Sequence, residues 1–447
     1  MNNDTIFALS SAPGKSGVAV IRISGKNLTD LAHHIFPSLD GGTSESGWGW
    51  SPRHAYFTNL RDKNGDLIDQ CIAIYFDAPR SFTGEDVIEI HSHGSPAVIN
   101  KIFEFLRGFG ARIAERGEFS QRAFYNNKLD LTDVDGLIAL LDAQTDNQRK
   151  SALRSLTGHD SAIYSAWRNQ MIEISAYSAA ILDYSDDELP ADIDKKILKK
   201  TKKLIDEINN ALSQSHATRA IQNGFNIVLV GKTNVGKSSI FNRLVGSNRA
   251  IVSDVAGTTR DVVSAQIDLD GYLVNLSDTA GIRKSRNKIE KIGIERTRAE
   301  IENSDLILYV YDDSAPLGKM VTKGDGGVSE IIVINKADKI KTHKNKKVIY
   351  TSAKTGSGFD KLLDAIKQKM HELMDGSEQR LIVNERTREL LKDAAKELTL
   401  AIENYNGNYD IFSEHVRHAG DDIGKILGVI TTNEIADMTF SRLCLGK

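Results

Sequence analysis

The sequence predicts a multidomain chain: a mixed α+β domain at the N-terminus, a doubly wound α/β domain in the middle, and a helical domain contributed by both flanks of that insert. Three observations carry this prediction. β-rich runs fill roughly the first 120 residues; a G-x-x-x-x-G-K-S pattern follows an apolar run at residues 227–230; and helical periodicity appears before the insert and returns after it. The expected divisions are residues 1–120, 121–222, 223–374 and 375–447, with the second and fourth forming one discontinuous helical domain. The cut ends of such a domain lie close together, because an insert enters and leaves at neighbouring points.

A chain of 447 residues has length for about three domains, each with its own core. A net charge of −3 excludes a globally basic face, so a nucleic-acid partner must be held by a local patch. Cys71 and Cys444 are the two cysteines, too few for a disulfide framework and without zinc spacing. The N-terminus carries an acid and no basic n-region, and no apolar run approaches the roughly 18 residues of a membrane span. The chain is expected to be cytoplasmic, with no membrane partner.

In the first domain, residues 18–24, 71–76 and 87–93 read as strands, separated by a Gly/Ser/Trp loop at 41–52 and an Asn64-Gly65 turn. Ser95 and Pro96 supply an N-cap and a first-turn proline before a helical face of Val98, Ile99, Ile102, Phe103 and Leu106. From about residue 130, three long amphipathic helices follow, marked by Val134 to Leu141, Ile163 to Ile181 and Ile197 to Leu212. Helical periodicity resumes at Leu391 to Ile402 and at Ile411 to Leu427.

The α/β insert holds the most informative chemistry. Gly231 and Gly236 let successive backbone N–H groups converge on one concavity at the start of the helix that follows. That concavity suits a triphosphate, with contacts from Asn234, Val235, Gly236, Lys237, Ser238 and Ser239. Lys237 reaches the β- and γ-phosphates, and the Ser238 hydroxyl ligates Mg²⁺. Asp278-Thr279-Ala280-Gly281 follows a second strand at 272–276, where an aspartate holds Mg²⁺ through water and a glycine N–H senses the γ-phosphate. Asn335-Lys336-Ala337-Asp338 follows a third, at 331–334. A carboxylate there pairs with the N1–H and N2 amino edge of guanine, which adenine lacks; unpaired buried acceptors give such sites discrimination of about 10⁴. Ser352-Ala353-Lys354, after a strand at 348–351, resembles the last base contact of GTPases. Four motifs in this order identify a GTPase domain that binds GTP and GDP.

Many GTPases orient the attacking water with a glutamine after the DTAG-type glycine, whereas Ile282 and Arg283 stand there in this sequence. A hydrophobic side chain cannot orient water, so Glu290 becomes the expected catalytic carboxylate, its alternative being a solvated helix residue. Neutralisation of transition-state charge is worth about 10³ to 10⁵ in rate. A monovalent cation can supply it where oxygens are available, from Asn234 and from Ser253, Asp254, Val255, Ala256, Gly257, Thr258 and Thr259. Thr259 is expected to close on Mg²⁺.

These stretches, GKTNVGKS, AIVSDVAGTTRD, DTAGIR and IEKIGIERT, together with RSFTGEDVIEIHSHGSP, GEFSQRAFYNNKLDL and the terminal FSRLCLGK, resemble the MnmE (TrmE) family of tRNA-modification GTPases over almost the whole chain. The resemblance implies an N-terminal tetrahydrofolate-binding domain that dimerises, a discontinuous helical domain and an inserted P-loop GTPase domain. It implies a homodimer activated by potassium-dependent pairing of GTPase domains. It also implies a flavoprotein partner, MnmG, in a heterotetramer, and addition of a carboxymethylaminomethyl or aminomethyl group at C5 of the wobble uridine of certain tRNAs. Carried over, K⁺ ligands fall on Asn234, Ser253, Val255 and Thr258, Mg²⁺ ligands on Ser238 and Thr259, and the water-positioning acid on Glu290. Contacts to 5,10-methylenetetrahydrofolate or 5-formyltetrahydrofolate fall on Arg22, Glu89, Lys128 and Lys447. Cys444 falls near the one-carbon site, as nucleophile or as structural residue.

The sequence departs from the family pattern at several points. Ser253 replaces a usual threonine, Thr387 a common histidine and Leu445 an isoleucine; His91-Ser92 stands where Gln-Gly is more usual. His91 and His93 share a strand face without an evident third metal ligand, and are read as a satisfied structural pair. Residues 317–328 are Gly- and Lys-rich where the fold expects a helix. The basic run Arg107, Arg112, Arg116, Arg122 and Lys128 is interrupted by Glu115 and Glu118, so it reads either as solvated surface or as a tRNA patch. A second functional class stays open: a switch-type GTPase in ribosome or RNA assembly, with flanking domains that only bind.

Overall fold

The computed structural model describes residues 4–26, 28–36, 50–183, 192–247, 249–251, 263–278, 300–312, 328–340, 348–374, 381, 383–405, 408–430, 439–444 and 446. They form two compact units, one of residues 1–138, 156–176 and 413–447, the other of 139–155 and 177–412.

The first unit contains β1 (Ile6–Leu9), β2 (Ser16–Gly25), α1 (Thr29–Ile35), β3 (Ala55–Arg61), β4 (Leu67–Phe76), β5 (Asp86–Gly94), α2 (Pro96–Arg107), β6 (Arg112–Ile113) and α3 (Glu118–Tyr125). The six strands form one sheet in the order β3-β4-β5-β2-β1-β6, antiparallel except for β1 against β6. Alternation along the strands turns Ile21, Ile23, Leu60, Cys71, Ala73, Ile88 and Ile90 toward a core shared with Ile102, Phe105 and Leu106 of α2. The expected turn at Asn64-Gly65 joins β3 to β4: Gly65 has φ 87°, and its N–H donates to Asp62 O at 2.9 Å. Ser95 does occupy the N-cap of α2, but its side chain makes no cap hydrogen bond, so Pro96 alone carries the start signal.

Among the described residues four helices, not three, follow: α4 (Leu131–Asp142), α5 (Asp146–Leu156), α6 (His159–Asp183) and α7 (Ile193–Asn223). The extra one, α5, buries Gln148, Ala152 and Ser155 and shows no apolar stripe.

In the second unit, α7 ends at Gly224 and leads straight into β7 (Phe225–Val230). There follow α8 (Lys237–Ser247), β8 (Arg249–Ile251), β9 (Val263–Leu269), β10 (Tyr272–Asp278), β11 (Leu306–Tyr311), β12 (Ser329–Ile334), β13 (Ile349–Tyr350) and α9 (Phe359–Met374). The sheet order is β13-β12-β11-β7-β10-β9-β8, parallel from β13 through β10 and antiparallel beyond. Its core joins Ile227, Leu229, Leu276, Leu308 and Val333 to Ile240 and Leu244 of α8 and Leu362 and Ile366 of α9. Parallel strands covered on both faces read as continuous apolar runs, which is why they were legible in the sequence. Further along, the described residues form α10 (Glu385–Glu403), capped by the Asn384 side chain, and α11 (Tyr409–Leu427).

Candidate nucleotide site and a paired face on the N-terminal sheet

The nucleotide-site residues collect at the carboxyl ends of parallel strands, where α/β sheets bind ligands. The loop after β7 turns through Asn234 (φ 64°) and Gly236 (φ 98°) into the first turn of α8. A Cβ on Gly236 would stand 2.2 Å from Asn335 Nδ2, so glycine is required for the phosphate loop to lie against the base-recognition motif. Asn335 is buried and ties the two together. Its Nδ2 donates to Val235 O at 3.0 Å, and its Oδ1 accepts from Ala353 N–H at 3.1 Å. Lys336 Nζ donates to Asn234 O at 2.7 Å and pairs with Asp312 at 3.0 Å. Asp312, just beyond β11, was missed by sequence reasoning, although a carboxylate at the end of a parallel strand beside the switch point was the available signal.

Lys237 is buried, and its ammonium donates to Gly231 O at 2.7 Å and Lys232 O at 2.9 Å. The loop's own carbonyls thereby satisfy the buried ammonium. Ser238 Oγ donates to Asp278 Oδ2 at 2.6 Å. A hydroxyl and a carboxylate held together are hard oxygen donors of the kind Mg²⁺ takes. Asp338 is exposed and accepts from the buried Ser352 hydroxyl at 2.6 Å. That hydrogen bond, with Lys354 and Lys339 nearby, holds the carboxyl below its ordinary range, so it is an ionised acceptor. Arg243 of α8 donates to Ala353 O at 3.2 Å and fixes the same loop from beneath, a role no motif announced.

Ser253, Asp254, Val255, Ala256, Gly257, Thr258, Thr259, Thr279, Ala280, Gly281, Glu290 and Lys447 lie outside the described residues, as do Ile282, Arg283 and Leu445. Of the residues expected to hold K⁺, Asn234 is described, with an exposed side chain.

On the N-terminal sheet, Arg22 of β2 stands opposite Glu89 of β5 in register, with Arg22 Nη2 2.9 Å from Glu89 Oε1. The guanidinium lies 5.2 Å from the Phe82 ring centroid, and its Nη1 donates to Gly446 O at 3.4 Å. Ser10 Oγ donates to the same carbonyl at 3.2 Å. The structure therefore brings Arg22, Glu89 and the penultimate residue together. Lys128 follows α3, its N–H donating to Ala123 O at 2.8 Å, and Cys444 is exposed. His91 and His93 each have a carboxylate: His91 Nε2 is 3.4 Å from Glu89 and His93 Nδ1 2.8 Å from Asp69.

Both sequence readings of the run from Arg107 to Lys128 need correction at its centre. Arg112 contacts Asp4 at 2.6 Å and Glu118 at 2.5 Å; Arg122 contacts Asp4 at 2.9 Å, Glu85 at 3.0 Å and Glu118 at 3.1 Å. These guanidiniums are engaged by carboxylates in a part-buried ion network, Arg122 at 11% side-chain exposure and Arg112 at 40%, which occupies them against RNA phosphates.

Comparison with known proteins agrees with this geometry. The family model described as "GTP-binding protein TrmE N-terminus" matches residues 5–128, and that described as "MnmE helical domain" matches residues 131–444. The tRNA modification GTPase MnmE of Brucella abortus (strain 2308) is 37% identical over 447 residues, covering 100% of this chain and 98% of that protein. The protein of the same name from Bartonella tribocorum (strain CIP 105476 / IBS 506) is 37% identical over 446 residues, covering 99% and 100%. Among solved structures, the G domain of the T. maritima FeoB iron transporter covers 34% of this chain and 99% of its own, at 26% identity and a TM-score of 0.26. From the end-to-end identity and the two family matches, the chain belongs to the MnmE (TrmE) family of tRNA-modification GTPases.

Proposed function

We propose that this chain is a potassium-activated GTPase that, with an MnmG-type flavoprotein, drives addition of a carboxymethylaminomethyl or aminomethyl group at C5 of the wobble uridine of certain tRNAs. The observation that carries the nucleotide half is the bridging by Asn335 of the phosphate loop and the Ala353 loop, with an ionised Asp338 beside it. Binding the guanine edge at Asp338 and the phosphates at Lys237 then uses two loops already held in one arrangement, so little ordering is left for the ligand to induce.

The residues present fit the groups this reaction needs. Ser238 and Asp278, with Thr259, would hold Mg²⁺, which supplies charge neutralisation at the phosphates. Asn234, with Ser253, Val255 and Thr258, would hold K⁺, which supplies the positive charge that an arginine finger gives other GTPases. Glu290 orients the attacking water. Glu89 suits the donor-rich edge of a pterin, and Arg22, Lys128 and Lys447 suit the carboxylates of a folate tail, the folate supplying a one-carbon unit. Cys444 is a nucleophile or a structural neighbour there.

Homodimerisation is supported by the sheet face that carries this pair. Phe57, Ile72, His91 and Val20 form one cross-strand row, with Phe57 65% and Ile72 42% exposed and Val18 close by at 56%. Adjacent exposed apolar side chains on one sheet face suit a self-complementary partner. The discontinuous helical domain, the heterotetramer with the flavoprotein and a cytoplasmic location complete the proposal; among the described residues no helix is long and apolar enough to cross a membrane.

Two measurements test it. Replacing K⁺ by Na⁺ is expected to slow GTP hydrolysis by roughly an order of magnitude or more, because transition-state charge is then poorly neutralised; equal rates would remove the role given to Asn234. Mass spectrometry of tRNA nucleosides from cells lacking this chain is expected to show unmodified wobble uridine. A normal profile would overturn the tRNA reading and favour an assembly factor.

A further inference from the structure

Helix α7 opens with a cation-rich stretch that neither the nucleotide site nor the N-terminal face uses. Lys195, Lys196, Lys199, Lys200, Lys202 and Lys203 fall within nine residues that contain no acid, in a chain whose net charge is −3. Helical spacing sorts them into two parallel rows, 195-199-202 and 196-200-203. Each row runs about 10 Å along the axis at 1.5 Å per residue. The opposite side of the helix is closed, since Ile193, Ile197, Thr201, Leu204 and Ile208 are buried.

Of the acids on and beside this helix, Asp206 lies one turn beyond Lys202 on the same face, and the others are already engaged. Asp192 pairs with Lys196 at 3.1 Å, Glu207 pairs with Lys203 at 3.3 Å, and Asp194 accepts from the Tyr409 hydroxyl. Lys195, Lys199 and Lys202 are exposed and have no carboxylate partner among the described residues. Beside the second row, Lys200 Nζ lies 5.4 Å from the ring centroid of Tyr177, which is 39% exposed. The helix therefore presents one row of ammonium groups without a described carboxylate partner, and an accessible aromatic ring beside Lys200 of the neighbouring row.

A row of compact, hydrated ammonium groups suits a polymer of phosphates, where each contact releases condensed counterions. The exposed ring suits an unpaired base, which stacks regardless of sequence. An anionic bilayer fits less well, because the apolar side chains that would enter lipid are packed into the protein. We propose that the Lys195, Lys199 and Lys202 row, with Tyr177 beside its neighbour, is the docking surface for an RNA phosphate backbone. This rests on the reading that RNA is the partner and adds where it is held.

The test uses the full chain with Lys195→Gln, Lys199→Gln and Lys202→Gln combined, since glutamine removes charge and keeps helix propensity. Binding of an unmodified tRNA transcript is measured by fluorescence anisotropy over about 50 to 200 mM KCl. The slope of log affinity against log salt is expected to shrink by about 2 to 3, and low-salt affinity to fall about tenfold or more. GTP turnover without RNA and the thermal midpoint should not move. If the transcript binds both proteins with the same slope, the docking surface is overturned while the tRNA reading stands. If the unsubstituted protein ignores the transcript, both fall. If the variant loses only binding to phosphatidylserine vesicles, the surface belongs to lipid and the proposal is overturned.

Discussion

Two basic stretches of this chain meet opposite fates. Around Arg112 and Arg122, two carboxylates arrive from far away in sequence, Asp4 ahead of β1 and Glu85 ahead of β5, and join the local Glu118 that opens α3. Around Lys195, Lys199 and Lys202 no carboxylate of the described residues forms an ion pair. Residue type follows the outcome, because a guanidinium presents five donors in a planar fork and can bridge several carboxylates, whereas an ammonium is a hydrated point charge that stays in water. Local charge density in a sequence therefore does not reveal whether a basic run is surface; the sheet topology that delivers partners does.

The largest effect expected from this contrast is at Arg122, whose side chain is 11% exposed and touches three carboxylates. Arg122→Met leaves Glu85 without a cation and Asp4 and Glu118 with Arg112 alone, and removing one member of such a network costs about 3 to 5 kcal/mol. Trp50 and Trp167 are buried in the same unit, so tryptophan fluorescence during denaturant unfolding follows the right region. A loss below about 1 kcal/mol, the scale of exposed pairs, would mean that the network behaves as surface.

A smaller effect separates carboxylates with a guanidinium from one without. Burial pushes the pKa values of Asp4 and Glu118 up, but Arg112 and then Arg122 outweigh it, and both end below their ordinary ranges. Their contribution is present above the unfolded-state pKa values and is lost as pH falls through the folded ones. Asp133 of α4 has the opposite sign. Burial, then the charges of Asp130 and Asp160, raise it to about 6, and its Oδ1 is buried with no hydrogen-bond partner. A folded pKa above the unfolded one means stability present at low pH and lost as pH rises toward about 6. Asp133→Asn should remove that loss, giving about 1 kcal/mol more stability at pH 7 after allowance for solvent screening, and no gain near pH 4. The check is the same fluorescence unfolding repeated across pH; a gain independent of pH would assign the effect to packing.

The same distinction explains what could be read in advance. The parallel strands around β7 and the glycines of the phosphate loop announce themselves because one buried environment surrounds each residue. Helices α6, α7, α10 and α11 show in the sequence through apolar periodicity. Helix α5 does not, since Gln148 is buried for its hydrogen bonds: Oε1 accepts from Gln144 N–H at 2.8 Å and Nε2 donates to Gln222 O at 2.8 Å. Strand β3 hides for a related reason, its inward positions being Thr58 and Leu60, with Thr58 Oγ1 donating to Ile35 O at 2.6 Å. At the nucleotide site, Lys237, Ser238, Asn335 and Asp338 were legible as motif letters. The Lys336–Asp312 pair and the Arg243 brace were not, because each joins elements that only the folded sheet brings together.

The smallest expected effect lies at the other end of the contrast. Lys199 is exposed on α7, on the side away from buried Ile197 and Leu204, and has no carboxylate partner among the described residues. Lys199→Gln removes a charge and no native contact, so its stability change should stay within about 0.5 kcal/mol. Urea unfolding followed by circular dichroism reports it, since α7 lies outside the tryptophan-bearing unit. A stabilisation well above that range would mean that the lysine rows repel one another enough to strain the helix, a cost that a polyanionic partner would relieve on binding.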